Sequence, residues 1–309
     1  MLINIQDDII RLQAMGLLDK LLIDRTTHKN IMWATDAYDY LGDSYRRNEQ
    51  IHASLITKEN VGVIKTRARK EFEQQTQRTR QRAEVFTPLW ICNQMNNSVD
   101  EQWFGRKDIF NKDGEPTERV IFDNGLLWED YVESCRLEIT CGEAPYLVSR
   151  YDVASGKIIS IPNRIGLLDR KIRVVTENTS NYDDWFLWIT RAYQSTYGYE
   201  FQGDNLLIAR VNLMMTLIEN CEMFWNKLPD IKELKLISKI ISWNIWQMDG
   251  LTGTIPFKKA QESYQQLDMF ALMGLEENKK EEISQPPCRI FDWRSNKSIT
   301  YESLKGAYS

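Results

Sequence analysis

The chain has 309 residues, of which 42% are hydrophobic and 27% charged, and its formal net charge is −5. These values are typical of a globular protein with a sizeable core, arranged as one large domain or two ordinary ones. No apolar run reaches the ~18 residues of a membrane-spanning helix, and the first residues lack the pattern of a signal peptide. An acidic chain is not expected to coat DNA over its whole surface, although it can carry a local basic patch.

The five cysteines are scattered along the sequence and are accompanied by only two histidines. No two of the cysteines form a Cys-x-x-Cys pair, so no metal site is expected. This use of cysteine favours a reduced, cytoplasmic protein.

Residues 1–83 are predicted to form a helical N-terminal region. Apolar side chains recur at helical spacing between Ile9 and Leu18, with Gly16 as an interruption. The stretch Thr26–Tyr38 breaks this pattern and predicts a turn.

The segment Val63–Arg82 carries seven basic residues against two acidic ones. It has two interpretations: a solvated helix face, or a surface that contacts the phosphates of a nucleic acid. In the second interpretation, the contacts would come from Arg67, Arg69, Arg78, Arg80 and Arg82.

Residues 84–309 are predicted to form an α/β domain. Short apolar runs, such as Arg136–Thr140 and Tyr199–Phe201, alternate with helical patterns, among them one near Tyr146 and one over Asp183–Gly198. Gly198 stands where a helix C-cap glycine is expected. The alternation favours a layered fold with a mostly parallel sheet. The charged stretch Gly274–Pro287 is expected to be a loop, and its composition favours disorder.

Three fragments of this region form a pattern together: Phe86–Pro88, then Thr140–Gly142 with its tight turn, then Ser195–Met214, in which Glu200 ends a short strand. The order resembles that of the adenine-N6 DNA methyltransferases, including the modification subunits of restriction-modification systems. Their pattern runs Phe-Thr-Pro, then Asp-Pro-x-Cys-Gly-Ser-Gly-x-Phe-Leu, then Tyr-Gly-x-Asp/Glu. The resemblance covers roughly residues 80–250.

This resemblance implies a Rossmann-like sheet, complete or incomplete, that binds S-adenosylmethionine and transfers its methyl group to an adenine amine in DNA, leaving S-adenosylhomocysteine. The residues expected to contact the cofactor are Phe86, Thr87, Pro88, Thr140, Cys141, Gly142, Glu200, Phe201, Asn244 and Asp249.

Physical reasons support two of these residues independently. A glycine at the end of a strand lets the backbone approach a ligand closely, which suits Gly142. A carboxylate at the end of the next strand can accept both hydroxyls of a ribose, which suits Glu200. The predicted third strand, Ile241–Leu251, would place either Asn244 or Asp249 against the cofactor's adenine.

The turn departs from the family pattern. Glu138 matches its acidic first residue, but Ile139 replaces proline, Glu143 replaces serine and Ala144 replaces the second glycine. Alanine does not adopt positive φ as freely as glycine, so the loop is expected to take a modified path. Glu143 is expected either to face the positive charge of the cofactor or to point to water.

The family's catalytic motif, Asp/Asn-Pro-Pro-Tyr/Phe, does not occur in the sequence. The nearest substitutes are Asn296 as the acceptor of the target amine, and Tyr301 or Trp293 as the ring that stacks on a flipped base. A chain ending at Ser309 is also expected to lack a target-recognition domain, which a second protein subunit would then supply.

Three hypotheses therefore stay open. The first is an adenine-N6 DNA methyltransferase or its modification subunit, with DNA as a partner. The second is a catalytically inactive methyltransferase-like subunit that binds DNA or protein. The third, which Ala144 favours, is an interaction protein with an empty pocket.

Overall fold

The structure, a computed structural model, describes residues 1–70, 87–256 and 286–305. Its α-helices are α1 (Ile5–Ala14), α2 (Leu18–Leu22), α3 (Leu89–Phe104), α4 (Trp128–Glu133), α5 (Leu167–Asn178), α6 (Tyr182–Gln194), α7 (Gly203–Trp225), α8 (Ile231–Asn244) and α9 (Glu302–Lys305). Its strands are β1 (Asn111–Lys112), β2 (Glu115–Pro116), β3 (Arg136–Glu138), β4 (Thr196–Glu200), β5 (Ile245–Gln247), β6 (Arg289–Asp292) and β7 (Lys297–Thr300).

A parallel sheet of three strands, in the order β3-β4-β5, lies at the centre of the fold. Leu137 lies beside Tyr197 in the register, and Tyr199 lies beside Trp246. The other described strands form two antiparallel hairpins, β1–β2 and β6–β7. The prediction of an α/β fold with a parallel sheet is confirmed at this level.

The long helix α7 is the centre of the main core, and nearly all of its residues are buried. Most of its buried residues are apolar, which is typical of a helix at such a position, and the polar ones, such as Asp204, Arg210 and Asn212, are hydrogen-bonded. It begins at Gly203, where a Cβ atom would lie 1.9 Å from the carbonyl oxygen of Met32, so no other residue fits. It ends at Asn226 in the left-handed conformation, a common C-terminal signal.

The buried side chain of Arg210 on α7 holds the carboxyl ends of two other helices, α2 and α8, in place. Its guanidinium donates to the carbonyls of Leu21, Ile23, Ser242 and Ile245. Burial lowers its pKa to about 10. These bonds satisfy carbonyl groups at the ends of α2 and α8, which have no partner inside their own helices.

The N-terminal residues pack on the same core as the sheet. Ile5, Leu21, Trp33 and Ile64 belong to one buried cluster with α7. The carboxamide of Gln247 in β5 accepts from the Met32 N–H and donates to the Met32 carbonyl, both over 2.8 Å. The predicted boundary between residues 83 and 84 lies outside the described residues.

Within residues 1–70, the described part of the predicted helical region 1–83, the helical prediction is correct only to Leu22. Residues 24–70 contain short 3-10 helices and turns, among them the turn expected within Thr26–Tyr38. This segment is held by tertiary contacts instead, such as the ring contacts of Trp33 with Tyr38 and Tyr45.

Three further expectations need correction. No helix begins near Tyr146, because the chain there forms a series of turns. The side-chain amide of Asn96 holds these turns by donating to the carbonyls of Tyr146 and Ile165. Gly198 lies inside β4, where a Cβ would meet the Cys141 side chain at 3.4 Å, and is not a helix cap. Helix α8 runs to Asn244, so the third strand is shorter than predicted.

The loop predicted for Gly274–Pro287 lies outside the described residues, apart from its last two positions. In the part of the chain that the structure describes, no helix combines the length and the apolar composition that crossing a membrane requires.

Candidate cofactor site

A cavity of about 820 Å³ opens at the carboxyl ends of the three parallel strands. Its walls come from the loop after β3, the end of β4, the turn after β5 and one side of α3. Ligands of open parallel sheets bind at this edge, because the loops that follow the strands meet there. The volume is within the range of small-molecule sites.

Most residues predicted to contact a cofactor meet in this cavity. The predicted residues in its wall are Thr87, Thr140, Cys141, Gly142, Glu200, Phe201 and Asp249. Pro88 is the exposed residue that precedes α3, next to Thr87. Phe86 lies outside the described residues.

Asn244 does not lie at the cavity. It is the last residue of α8, at the amino end of β5, whereas the cavity lies at the carboxyl end. Its amide nitrogen donates to the carbonyls of Tyr193, Gln194 and Thr196, and its oxygen accepts from the indole of Trp293. Of the two alternatives for an adenine contact, only Asp249 is in the wall.

Glu200 is the last residue of the middle strand β4 and lies at the base of the cavity. One carboxylate oxygen accepts from the Gly142 N–H over 2.9 Å, and the other accepts from the Gln202 N–H over 3.0 Å. The carboxylate is thus fixed from two sides by backbone. Because its two oxygens offer about four acceptor positions, it can also accept hydroxyl groups from a ligand.

Glu138, the last residue of β3, is a second buried carboxyl group in the cavity wall. Burial raises its pKa well above the ordinary value; the N–H groups of Tyr146 and Leu147 oppose the rise, and the Glu200 carboxylate adds to it. Its Oε2 is buried and has no hydrogen-bond partner among the described residues. Such a group is costly in a folded protein, and burial beside a second acid is typical of functional sites.

The loop between the two acids has a strained backbone. Thr140, Gly142 and Ala144 have φ values of 48°, 55° and 64°. Glycine adopts such values readily, but threonine and alanine do so at a cost of about 1–3 kcal/mol each. Ala144 therefore has positive φ despite this cost, so at this residue the alanine has not given the loop the modified path that was expected.

Glu143 points neither to the cavity nor to water. It is buried, and its carboxylate accepts from the Arg67 N–H and from the Tyr151 hydroxyl, both over 2.6 Å. Its own carbonyl accepts from the Asn212 amide. Glu143 therefore fastens the loop through its side chain to Tyr151 and the segment around residue 67, and through its backbone carbonyl to α7.

Cys141 is a packing residue of the wall. Its side chain lies against Gly198, and burial raises the pKa of its thiol well above the ordinary value. A thiol held in the neutral form is a poor nucleophile.

The described part of the basic segment does not form a helix face. Arg69 is exposed and Arg67 half-buried, both in a 3-10 turn, whereas Lys70 is buried and pairs with Asp204 over 3.3 Å. Arg78, Arg80 and Arg82 lie outside the described residues.

The two candidates for catalysis lie apart. Asn296 is exposed in the turn between β6 and β7. Tyr301 follows the far end of β7 and packs against Tyr199 and Trp246. Neither belongs to the cavity wall.

The sequence pattern did not predict that α3 forms one wall of the cavity. Met95, Asn96 and Val99 project from this helix toward the end of β3. Their spacing is helical and directly follows the Thr-Pro step, a signal that could have placed them beside Thr87.

None of three comparisons, with protein-family models, with curated proteins and with solved structures, finds a match for this chain.

Proposed function

We propose that the cavity binds S-adenosylmethionine and that the chain is the cofactor-binding part of an adenine-N6 DNA methyltransferase. The observation that carries the proposal is the position of Glu200. It ends the middle strand of a parallel sheet and is fixed by the N–H of Gly142, the glycine of the preceding strand's turn. This is where a carboxylate can accept the two hydroxyls of a nucleoside's ribose.

The other residues of the wall suit the remaining parts of this cofactor. Asp249, beyond β5, can accept the amine of the adenine. Glu138 can release its proton to hold the ammonium group of the methionine part, since an adjacent positive charge favours the ionised acid. Met95 and Leu137 offer apolar surface. When bound, the cofactor supplies a methyl group on a positively charged sulfur.

Calorimetric titration with S-adenosylmethionine and S-adenosylhomocysteine tests this proposal. We expect the natural chain to bind both, and Glu200→Gln to bind at least about tenfold more weakly, because each lost charge-assisted hydrogen bond contributes about 1.5–3 kcal/mol. Glu222→Gln, at an exposed carboxylate paired with Arg11, is the matched control and should bind normally. A folded natural chain that binds neither compound would contradict the proposal.

A second function is a methyltransferase-like subunit that binds the cofactor without transferring the methyl group. The separation of Asn296 and Tyr301 from the cavity favours it, because these were the chain's own candidates for the catalytic acceptor and the stacking ring. Incubation with cofactor carrying a labelled methyl group and mixed-sequence DNA distinguishes the two functions. Cofactor binding without label on the DNA would favour the second.

DNA is proposed as a partner in both functions, with Arg67 and Arg69 as candidate phosphate contacts. A reduced, cytoplasmic setting is likewise proposed, on the basis of the scattered cysteines.

A further inference from the structure

A second cavity lies in the N-terminal part of the chain and shares no wall residue with the cofactor cavity. Its volume is about 300 Å³, at the lower end of the range of small-molecule sites. The wall comes from residues within 37–41 and 59–65, together with Lys70. Two lysines of the basic segment, Lys65 and Lys70, therefore line one cavity.

Lys70 connects the second cavity to the cofactor cavity. Its ammonium pairs with Asp204 over 3.3 Å and donates to the side-chain oxygen of Asn205 over 3.4 Å. Asn205 belongs to the wall of the cofactor cavity. Asp204 also accepts from the Tyr38 hydroxyl over 2.8 Å, and Tyr38 lines the second cavity. The two cavities are therefore neighbours on either side of the first turn of α7.

Lys65 is a cation of this wall without a balancing acid. Its side chain is half-buried and forms no ion pair or hydrogen bond with any residue of the described ranges. Lys70 differs, because Asp204 balances its charge. Glu59, the acid of the wall, is exposed, so water and salt screen its charge. The single negative charge of a phosphodiester matches the one unbalanced ammonium.

The backbone at Gly62 offers a second contact for a phosphate. The Val63 N–H donates to the Asn60 carbonyl over 3.2 Å, with φ −58° and ψ 129° at Val61 and φ 96° at Gly62. These angles define a type II turn, in which the N–H of the glycine takes no part in the closing bond. A Cβ atom at Gly62 would have no other atom within 4 Å, so a ligand can approach this backbone closely. Backbone N–H groups are common partners of phosphate oxygens.

Exposed apolar side chains line the same cavity. Tyr40 is 75% exposed, and Leu41 and Val61 are 39% and 43% exposed. An exposed aromatic ring close to a cation is the combination that binds single-stranded nucleic acids, because a base stacks on the ring while the charge holds the backbone. In a duplex the bases already stack on one another, so such a ring suits an unpaired base.

We propose that the second cavity binds one nucleotide of a single strand of DNA. The base stacks on the ring of Tyr40, and the phosphodiester accepts from the Lys65 ammonium and the Gly62 N–H. Because the two cavities are neighbours, the bound strand passes close to the cofactor cavity. That the strand is DNA, and that it presents a nearby base for methylation, rests on the proposed function.

A free mononucleotide is a poorer occupant of the second cavity. Its phosphate monoester carries about 1.5 to 2 negative charges at pH 7, against the one unbalanced ammonium of Lys65. The exposed ring of Tyr40 also leaves the cavity open to solvent, so a strand can continue beyond the bound nucleotide.

Fluorescence anisotropy with a labelled oligothymidylate of about eight nucleotides, without cofactor, tests the proposal. We expect the natural chain to bind it and Tyr40→Ala to bind at least about fivefold more weakly, because the ring no longer stacks on a base. Tyr40→Phe keeps the ring and should bind normally. Tyr40 lies outside the buried core, so both variants should fold. No binding by the natural chain, or equal affinity in Tyr40→Ala, overturns the proposal.

The phosphate contact has its own measurement. Lys65→Gln should weaken binding and reduce the slope of log K against log salt by about 0.7, the value for one contact with a single strand. Lys235→Gln, at an exposed lysine on α8, is the matched control and should leave the slope unchanged. An unchanged slope in Lys65→Gln would overturn this contact.

Two further probes distinguish the occupants. A duplex of the same length should bind without dependence on Tyr40, and an equal loss in Tyr40→Ala would overturn the binding of an unpaired base. Thymidine 5′-phosphate should compete poorly, whereas full displacement of the oligonucleotide at equal concentration would assign the cavity to a free nucleotide. Since this assay contains no cofactor, its failure is distinct from failure of the calorimetric test.

Discussion

Asp100 on α3 and Glu138 on β3 are both buried acids, and Asp100 lies close to Arg136 of the same strand β3, but the surroundings of the two acids differ. Asp100 accepts from Arg170 over 2.7 Å and from Tyr131 over 3.0 Å, and the Arg170 guanidinium also donates to Asn93 and Asn97. Glu138 faces the cavity with one oxygen that has no described partner, and its carboxyl neighbour is Glu200. Asp100 therefore stabilises the fold through its ion pair and hydrogen bonds. Glu138 instead lies where a ligand can donate the hydrogen bond that its Oε2 lacks.

The largest effect is expected at Asp100. Asp100→Asn leaves Arg170 buried without its opposite charge, and breaking a buried pair in this way costs about 3–5 kcal/mol of unfolding free energy. Glu138→Gln, compared at a pH where the acid is protonated, should change stability by no more than about 1 kcal/mol because the two groups have the same shape. Urea unfolding of both variants measures the difference, and equal losses would remove the distinction between the two acids.

The next effect concerns pH. The pKa of Glu138 is raised above its ordinary value of 4.5, so the folded chain keeps a proton that the unfolded chain has released. Raising the pH above 4.5 therefore favours unfolding, by up to about 1.4 kcal/mol per pH unit until the folded-state pKa is passed. Glu138→Gln should make this decline of the unfolding free energy shallower. Urea unfolding at a series of pH values measures it; parallel curves for the two proteins would show that Glu138 ionises normally.

The smallest effect is expected in the strained loop between the two acids of the cavity. Thr140 is exposed and has positive φ, so Thr140→Gly should raise the unfolding free energy by about 0.5–1 kcal/mol as strain is relieved. Thr252→Gly, at an exposed turn residue without positive φ, is the control and should destabilise slightly. If both glycine variants lose stability alike in thermal unfolding, the loop is not strained.

Local signals predicted the parts of the site that depend on short stretches of chain. Glu200 ends β4 and Gly142 lies in the turn that follows β3, and the alternation around them is readable within a few residues. The pairing of β3 with β4 brings the two residues together through a hydrogen bond, and its register is known only from the structure.

The parts of the site that the sequence pattern did not predict depend on contacts between distant segments of the chain. Gly198 does not end a helix; it leaves room for the Cys141 side chain to pack against β4. Glu143 is turned away from the cavity because its carboxylate accepts from the Arg67 N–H. The helix expected near Tyr146 is replaced by turns that Asn96 holds from α3. Each of these contacts joins residues fifty or more positions apart, beyond the reach of periodicity.

The bond between Met32 and Gln247 has a consequence for how the protein is made. The two residues are 215 positions apart, so the segment around Met32 leaves the ribosome long before its partner does. At a synthesis rate of about 5–20 residues per second, the interval is on the order of ten to forty seconds. For most of that time Trp33 and its aromatic neighbours have neither the complete sheet nor α7 to pack against, and a nascent chain in this state is a natural client for chaperones.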